Sequence, residues 1–200
     1  VRETEGQILC QNGEAVEAYY FSTSAGVTST DEIWGSDEAA PYLRSVPCKF
    51  DEEEPWSSWI VELPWKMLED RIREKGEGTV LRSVTVTRRS ESGAATALEA
   101  VSDKDSCIIE NEYEIRKFLA PVNCMITEKD GTETAGGSLL PSAYFELERT
   151  QNGNLQVRGK GYGHGVGMSQ TGADKMAEQG YDYREILDYF FRNITVENLG

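Results

Sequence analysis

The stretch Gly161-Tyr-Gly-His-Gly-Val-Gly-Met-Ser-Gln-Thr-Gly172 constrains this chain more than any other. Glycine stands at 161, 163, 165 and 167, every second residue. That pattern suits neither a helix nor a central strand, because glycine loses the most backbone entropy in either and offers no side chain to pack. It suits a tight path with close backbone approach or positive φ. His164, the only histidine of the chain, lies between two of these glycines. Two readings stand: a loop shaped for a ligand, or a structural corner whose histidine makes packing contacts.

Two hundred residues, 38% of them hydrophobic, fit one large domain or one domain with a small lobe, with enough apolar material for a core. Twenty Lys and Arg face thirty-five Asp and Glu, a net charge of -15. That balance repels a phosphate backbone, so no nucleic-acid partner is expected, and it disfavours a basic amphipathic anchor on a membrane. No apolar run approaches the roughly 18 residues of a membrane span. The chain begins Val1-Arg2-Glu3, without initiator Met or signal peptide, so export through a processed precursor or a preceding segment stays open. Cys10, Cys48, Cys107 and Cys124 form no Cys-x-x-Cys pair. Buried thiols, or one to two disulfides in an exported protein, fit that spacing; a zinc finger does not.

Periodicity predicts an α+β fold with mostly antiparallel pairing, a sheet or barrel-like core, and several helices, two of them C-terminal. Asn12-Gly13 predicts a type I′ hairpin over residues 7–21. Trp59 to Leu63 alternates as a strand, and Pro64 opens a helix to about Lys75. A second hairpin is expected from 80–86 and 95–101, a strand fragment at Ile108-Ile109, and a helix from Glu112 to Leu119. Thr127 to Gly137 reads as a polar loop, and Tyr144–Leu147 pairs with Leu155–Val157 around Asn152-Gly153. Ser169 caps one C-terminal helix and Asp182 another, with Glu185 completing a capping box. Ile186, Leu187, Phe190 and Phe191 form the apolar stripe of that last helix.

A lone histidine without a neighbouring ligand argues against a metal site, and the absent Gly-x-Ser-x-Gly elbow argues against a serine hydrolase. The glycines are not a dinucleotide fingerprint, because Met168 stands where a third glycine is wanted. A polar, uncharged ligand fits better. Backbone N–H groups at Gly163 and Gly165, the His164 ring, Ser169 and Gln170 can bind hydroxyls at a helix start. The Ser22–Thr30 loop, with Ser22, Ser24 and Gly26, offers a similar set. Trp34 and Tyr42, and with them Trp56, Trp59 and Trp65, can offer flat faces to sugar rings, although such rings more often anchor a core. Glu32 and Glu62 are imaginable general acids for glycan cleavage, Glu62 more simply a solvent-facing strand residue.

These motifs together resemble the domain shared by stage II sporulation protein D and the amidase enhancer proteins of Gram-positive bacteria. The resemblance is carried by Gly161-x-Gly163-His-Gly-Val-Gly-Met-Ser-Gln-x-Gly-Ala173 and by Met176-Ala177-x-x-Gly180-x-x-Tyr183-x-x-Ile186-Leu187-x-x-Phe190-Phe191. Ala18-Tyr19-Tyr20-Phe21-Ser22-Thr23-Ser24-Ala25-Gly26, Ile33-Trp34-Gly35 and Pro41-Tyr42-Leu43 extend it upstream, and Ile115-Arg116-x-x-Leu119 with Leu140-x-Ser142 fill the middle. It implies one domain over residues 1–200, acting outside the cytoplasm at the cell wall or sporulation septum. Its implied partners are peptidoglycan glycan strands and a cell-wall amidase, with no cofactor and no metal. One branch of the family implies lytic transglycosylase chemistry, in which a glutamate protonates the glycosidic oxygen and a 1,6-anhydro sugar is left. That glutamate belongs to a family segment upstream of the part this chain matches, so no catalytic residue is assigned here, and the full-length protein is expected to carry any membrane anchor upstream too. Phe21 and Ala25 stand where the family usually has His and Gly; some members hold zinc with a histidine and a cysteine near this loop, and this chain has neither ligand at those places. The resemblance therefore implies the glycan-binding portion of a transglycosylase; the alternative is a non-catalytic wall-binding module or amidase activator.

Overall fold

A computed structural model describes residues 4–199; Val1–Glu3 and Gly200, counted in the expected single domain, lie outside the described residues. In chain order the elements are β1 (Gln7–Gln11), β2 (Glu14–Ala15), β3 (Tyr20–Phe21), β4 (Trp59–Leu63), α1 (Trp65–Glu74), β5 (Leu81–Arg89), β6 (Ala95–Ser102) and β7 (Ser106–Glu110). They continue with α2 (Glu112–Phe118), β8 (Met125–Glu128), β9 (Glu133–Ala135), β10 (Phe145–Arg149), β11 (Leu155–Gly159), β12 (Met168–Ser169), α3 (Gln170–Glu178), α4 (Tyr183–Phe190) and β13 (Thr195–Asn198). The fold is α+β, with antiparallel sheets ordered β10-β11-β4-β8-β9, β5-β6-β7 and β13-β1-β2, and one parallel pair, β12 with β3.

Local signals placed most of these elements. Asn12 and Gly13 hold φ of 53° and 80°, the left-handed values a type I′ turn requires. Strand β4 alternates buried and exposed, which points Glu62 to solvent. Asp182 accepts from the N–H groups of Arg184 and Glu185, and the Glu185 carboxylate accepts from the Asp182 N–H, completing the capping box of α4. Phe191 lies just beyond that helix, buried and bridged to Leu43.

Two expectations needed correction. The first hairpin ends at Ala15. Extending its register would set Tyr20 and Phe21 opposite Glu5 and Thr4, and those residues sit in a turn closed by Gln7 N–H to Thr4 C=O. Tyr20 and Phe21 pair instead with Met168 and Ser169. The supposed polar loop 127–137 is the hairpin of β8 and β9. Ile126 packs under it against Val61, and Glu128, which reads as a surface residue, is buried and accepts from Thr134 Oγ1 at 2.5 Å.

Two apolar clusters form the interior. The first lies among β4–β8, β11, α1 and α2, with Trp59, Leu63, Leu68, Ile72, Leu98 and Ile115 fully enclosed. The second gathers Ile33, Cys48, Val166, Met176, Phe190 and Phe191 beneath α3 and α4. The glycine loop runs along the seam: Trp59 of the first cluster donates Nε1–H to Gly161 C=O at 2.9 Å, and Val166 belongs to the second.

Candidate functional site

All four loop glycines have left-handed φ: 74°, 114°, 86° and 78° for Gly161, Gly163, Gly165 and Gly167. Close approach sets this path as much as φ does. An ideal Cβ on Gly161 would sit 2.8 Å from Thr23 C=O, and one on Gly163 would sit 2.7 Å from Phe21 Cβ. Backbone hydrogen bonds hold the contact: Tyr162 N–H to Thr23 C=O (2.8 Å), Met168 N–H to Tyr19 C=O (3.0 Å) and Ser29 N–H to Gly165 C=O (2.6 Å). From behind, the buried Arg116 guanidinium pairs with Glu112 at 2.5 Å and donates to the carbonyls of Leu140 and Pro141. Gly163 N–H donates to that same Pro141 carbonyl, which ties α2 to the loop.

The residues between the glycines have separate fates. Val166 is buried and Tyr162 is 42% exposed. His164 sits half-buried, its ring edge-on to Trp34 at 5.2 Å and to Phe21 at 5.8 Å, while Trp34 meets Tyr19 at 5.0 Å. Its Nδ1 accepts from Val166 N–H at 3.0 Å. Burial pushes the imidazole down to about 4, the charge of Arg116 adds to that, and a backbone hydrogen bond at Tyr20 acts against both. His164 is therefore neutral at physiological pH.

A pH dependence follows. The unfolded chain takes up this proton near pH 6.5, and the folded chain only at about 4, so the stabilisation is complete above pH 6.5 and is lost as pH falls toward 4. His164→Asn keeps an acceptor at the Nδ1 position and does not titrate. Between pH 7 and pH 4 it is expected to lose about 2 kcal/mol less stability than the parent. Urea midpoints of both proteins at the two pH values check this, and identical pH dependence would refute it.

Ser24 and Ser169 turn inward. Ser24 donates its hydroxyl to Asp51 Oδ1 at 2.7 Å and its N–H to Oδ2 at 2.8 Å; Ser169 donates to Oδ2 at 2.7 Å. The Cys48 thiol lies 3.6 Å from Oδ1 and is pushed up to about 12 by burial and then by the Asp51 charge. Asp51 itself is 1% exposed. Ser169 also caps α3 by accepting from Gly172 N–H, and Ser22 C=O accepts from Thr171 N–H at 3.0 Å. Gln170 is exposed in the first turn of that helix. Thus Ser22, Ser24, Ser169 and Gln170 converge at the α3 N-terminus, Gly163, His164 and Gly165 lie along the loop beside Trp34, and Tyr42 packs into the second cluster.

Two clefts open nearby. One, about 320 Å³, is lined by Ser24, Gly26, Ser57, Ser58, Lys129 and Lys160. The other, about 520 Å³, runs from Glu32 and Trp34 to Arg88, Glu91 and Glu110. Of the aromatic faces considered from sequence, Trp59 is buried and Trp65 lies under the Arg149 guanidinium at 3.3 Å. Trp56 instead meets Tyr162 edge-on at 4.6 Å. Asp51, Lys160 and Tyr162 escaped the sequence reading; Tyr162, an aromatic at an even position among odd-numbered glycines, carried a legible signal. All four cysteines are free thiols, and among the described residues no three His, Cys, Asp or Glu side chains are grouped to hold a metal ion. No helix among them is long and apolar enough to cross a membrane.

Antiparallel sheets and a glycine-alternating loop running into a serine-capped helix define a distinct class of α+β domain. The chain belongs to the family described as Domain of unknown function (DUF8618), whose model matches residues 44–167. It is 30% identical to stage II sporulation protein D of Bacillus amyloliquefaciens over 196 residues, 98% of this chain and 49% of the relative. The corresponding protein of Bacillus subtilis (strain 168) is 29% identical over 197 residues, 98% of this chain and 49% of the relative. The amidase enhancer of Bacillus subtilis (strain 168) is 22% identical over 229 residues, 98% of this chain and 32% of the relative. The chain and these relatives share one domain, and the chain spans at most about half the length of each.

Proposed function

We propose that this chain is a non-catalytic module that binds peptidoglycan glycan strands outside the cytoplasm and brings a cell-wall amidase to them. The observation that carries the reading is the Trp56–Tyr162 pair beside the cleft of Ser24, Gly26, Ser57 and Ser58. Tyr162 bridges to Thr23, next to Ser24 in the cleft wall, and Trp56 precedes Ser57. A partly exposed aromatic face beside clustered hydroxyls suits a pyranose, which has an apolar face and a polar edge. The name of the amidase enhancer relative supports the amidase partner.

Glycan cleavage by the full-length protein is the second reading, favoured by the two sporulation relatives. The buried acids described here are already engaged: Asp51 by two serines, Glu112 by Arg116, Glu128 by Thr134. A general acid for that chemistry has to come from other residues. Anhydro-muramic ends released from glycan strands by the full-length protein would establish this reading.

Saturable binding of peptide-free glycan strands to the chain, followed calorimetrically, tests the first reading. Tyr162→Ala is expected to weaken it roughly three- to tenfold with the fold intact. Absence of saturable binding would defeat the proposal, and failure to raise amidase turnover on walls would remove its amidase part.

A further inference from the structure

A smaller cavity, about 250 Å³, lies apart from the cleft of Ser24 and Gly26. Four charged residues line it: Glu32, Arg44, Glu91 and Arg192. None of the four enters an ion pair among the described residues, so two acids and two guanidiniums share one small space without neutralising each other. The two signs are sorted. Glu32 and Glu91 also line the larger cleft of Trp34, whereas Arg44 and Arg192 line this cavity alone, which sets the acids toward that cleft and the guanidiniums at the other end. Arg44 and Arg192 directly follow the bridged pair Leu43 and Phe191.

The walls are preformed. Arg44 donates through Nε to Tyr189 C=O at 3.1 Å and through Nη2 to the carbonyls of Asp188 and Tyr189, in the last turn of α4, where a cation is favoured. Its Nη1 takes no hydrogen bond among the described residues. Arg192 N–H donates to Tyr42 C=O at 2.8 Å, and Thr30 Oγ1 donates to the Glu32 carboxylate at 3.2 Å. Ser29 and Ser92 form a hydroxyl floor on Tyr144, their Oγ atoms 2.7 and 3.3 Å from its phenol oxygen. Gly165 makes room for that phenol, since an ideal Cβ there would sit 2.7 Å from it.

We propose that this cavity binds a small zwitterion of the amino-acid class, its carboxylate on Arg44 and Arg192 and its ammonium on Glu32 and Glu91. A lone anion is repelled by a chain of net charge -15, and a lone cation meets two guanidiniums; a molecule with both charges satisfies both ends. The volume lies below the roughly 300 Å³ at which pockets for drug-sized ligands begin, so it suits one or two small residues. Fixed walls reduce the ordering cost of so small a ligand, and charge-assisted hydrogen bonds supply the affinity.

Calorimetry with L-alanine, L-alaninamide, N-acetyl-L-alanine and L-alanyl-L-alanine tests this. The parent chain is expected to bind alanine roughly tenfold more tightly than either blocked form, with a Kd of about 1 mM. Arg192→Gln is expected to erase the preference over alaninamide, which lacks the carboxylate. Glu91→Gln is expected to reduce the preference over N-acetylalanine, which lacks the ammonium. Both side chains are exposed, so the fold is expected to survive each change. Tyr162→Ala is expected to leave alanine affinity unchanged, which separates this cavity from glycan binding. Equal affinity for alanine and its blocked forms, discrimination that survives both substitutions, or no saturable binding of alanine or dialanine at about 10 mM overturns the proposal. Dialanine identifies the source of the charges: tighter binding than alanine, with the same two dependences, supports a short peptide with both ends free, and weaker binding supports a free amino acid.

Discussion

Gly167→Ala is expected to abolish most of the folded population, whereas Gly26→Ala leaves a folded protein. Both glycines have left-handed φ, 78° and 95°, so the conformational strain on an added side chain is similar, about 1–2 kcal/mol. Their surroundings differ. At Gly26 an ideal Cβ meets nothing within 4 Å, while at Gly167 it overlaps the carbonyl of Tyr19. That carbonyl accepts from Met168 N–H, a bond of the parallel β3–β12 pairing. Relief of the overlap therefore requires separating two segments nearly 150 residues apart, and about 4 kcal/mol or more in total is expected. Urea denaturation of both variants measures the difference. Equal destabilisation would mean that φ alone explains the glycine, and that the close approach is unimportant.

Asp51→Ala carries the second large expected effect, about 3 kcal/mol. Its carboxylate accepts from Ser24 N–H and from the hydroxyls of Ser24 and Ser169 in a site closed to water. The two hydroxyls retain other acceptors, Cys48 C=O and Ser22 C=O, each at 3.2 Å. Ser24 N–H has no such alternative, and an orphaned buried donor costs its full desolvation, with the loss of charged hydrogen bonds added. Asp51→Asn, which keeps one acceptor oxygen, is expected to fall midway. Thermal unfolding of the three proteins checks the ranking. An Asp51→Ala variant as stable as the parent would show that water or a shifted loop satisfies these donors.

The same two positions show how far the sequence could be read. The alternating glycines announced a path of close approach, and that is what the loop does. Which segment it approaches was not written in them, because Tyr19 to Ser24 meets the loop through contacts of long sequence separation. Asp51 was one of thirty-five acids with no local mark. Its role comes from two serines brought to it from either side in sequence, 27 and 118 residues away. Ser24 and Ser169 were singled out as ligand contacts, and the structure sets their hydroxyls on Asp51. Tyr42 was grouped with Trp34 as a sugar face, but only Trp34 stands against His164.

By itself the sequence determined what depends on neighbours within a few residues: the Asn12-Gly13 turn, the alternation of β4, the serine and aspartate caps of α3 and α4, the α+β class and the acidic surface. Each of these is fixed by backbone sterics, side-chain period or a hydrogen bond reaching no more than three residues. Only the tertiary structure decided the end of the first hairpin, the burial of Glu128 in a strand that looked polar, the neutrality of His164 and the exposure of Tyr162 beside Trp56. Those properties arise where segments distant in sequence exclude water from one another or fail to, and burial of that kind has no local signature.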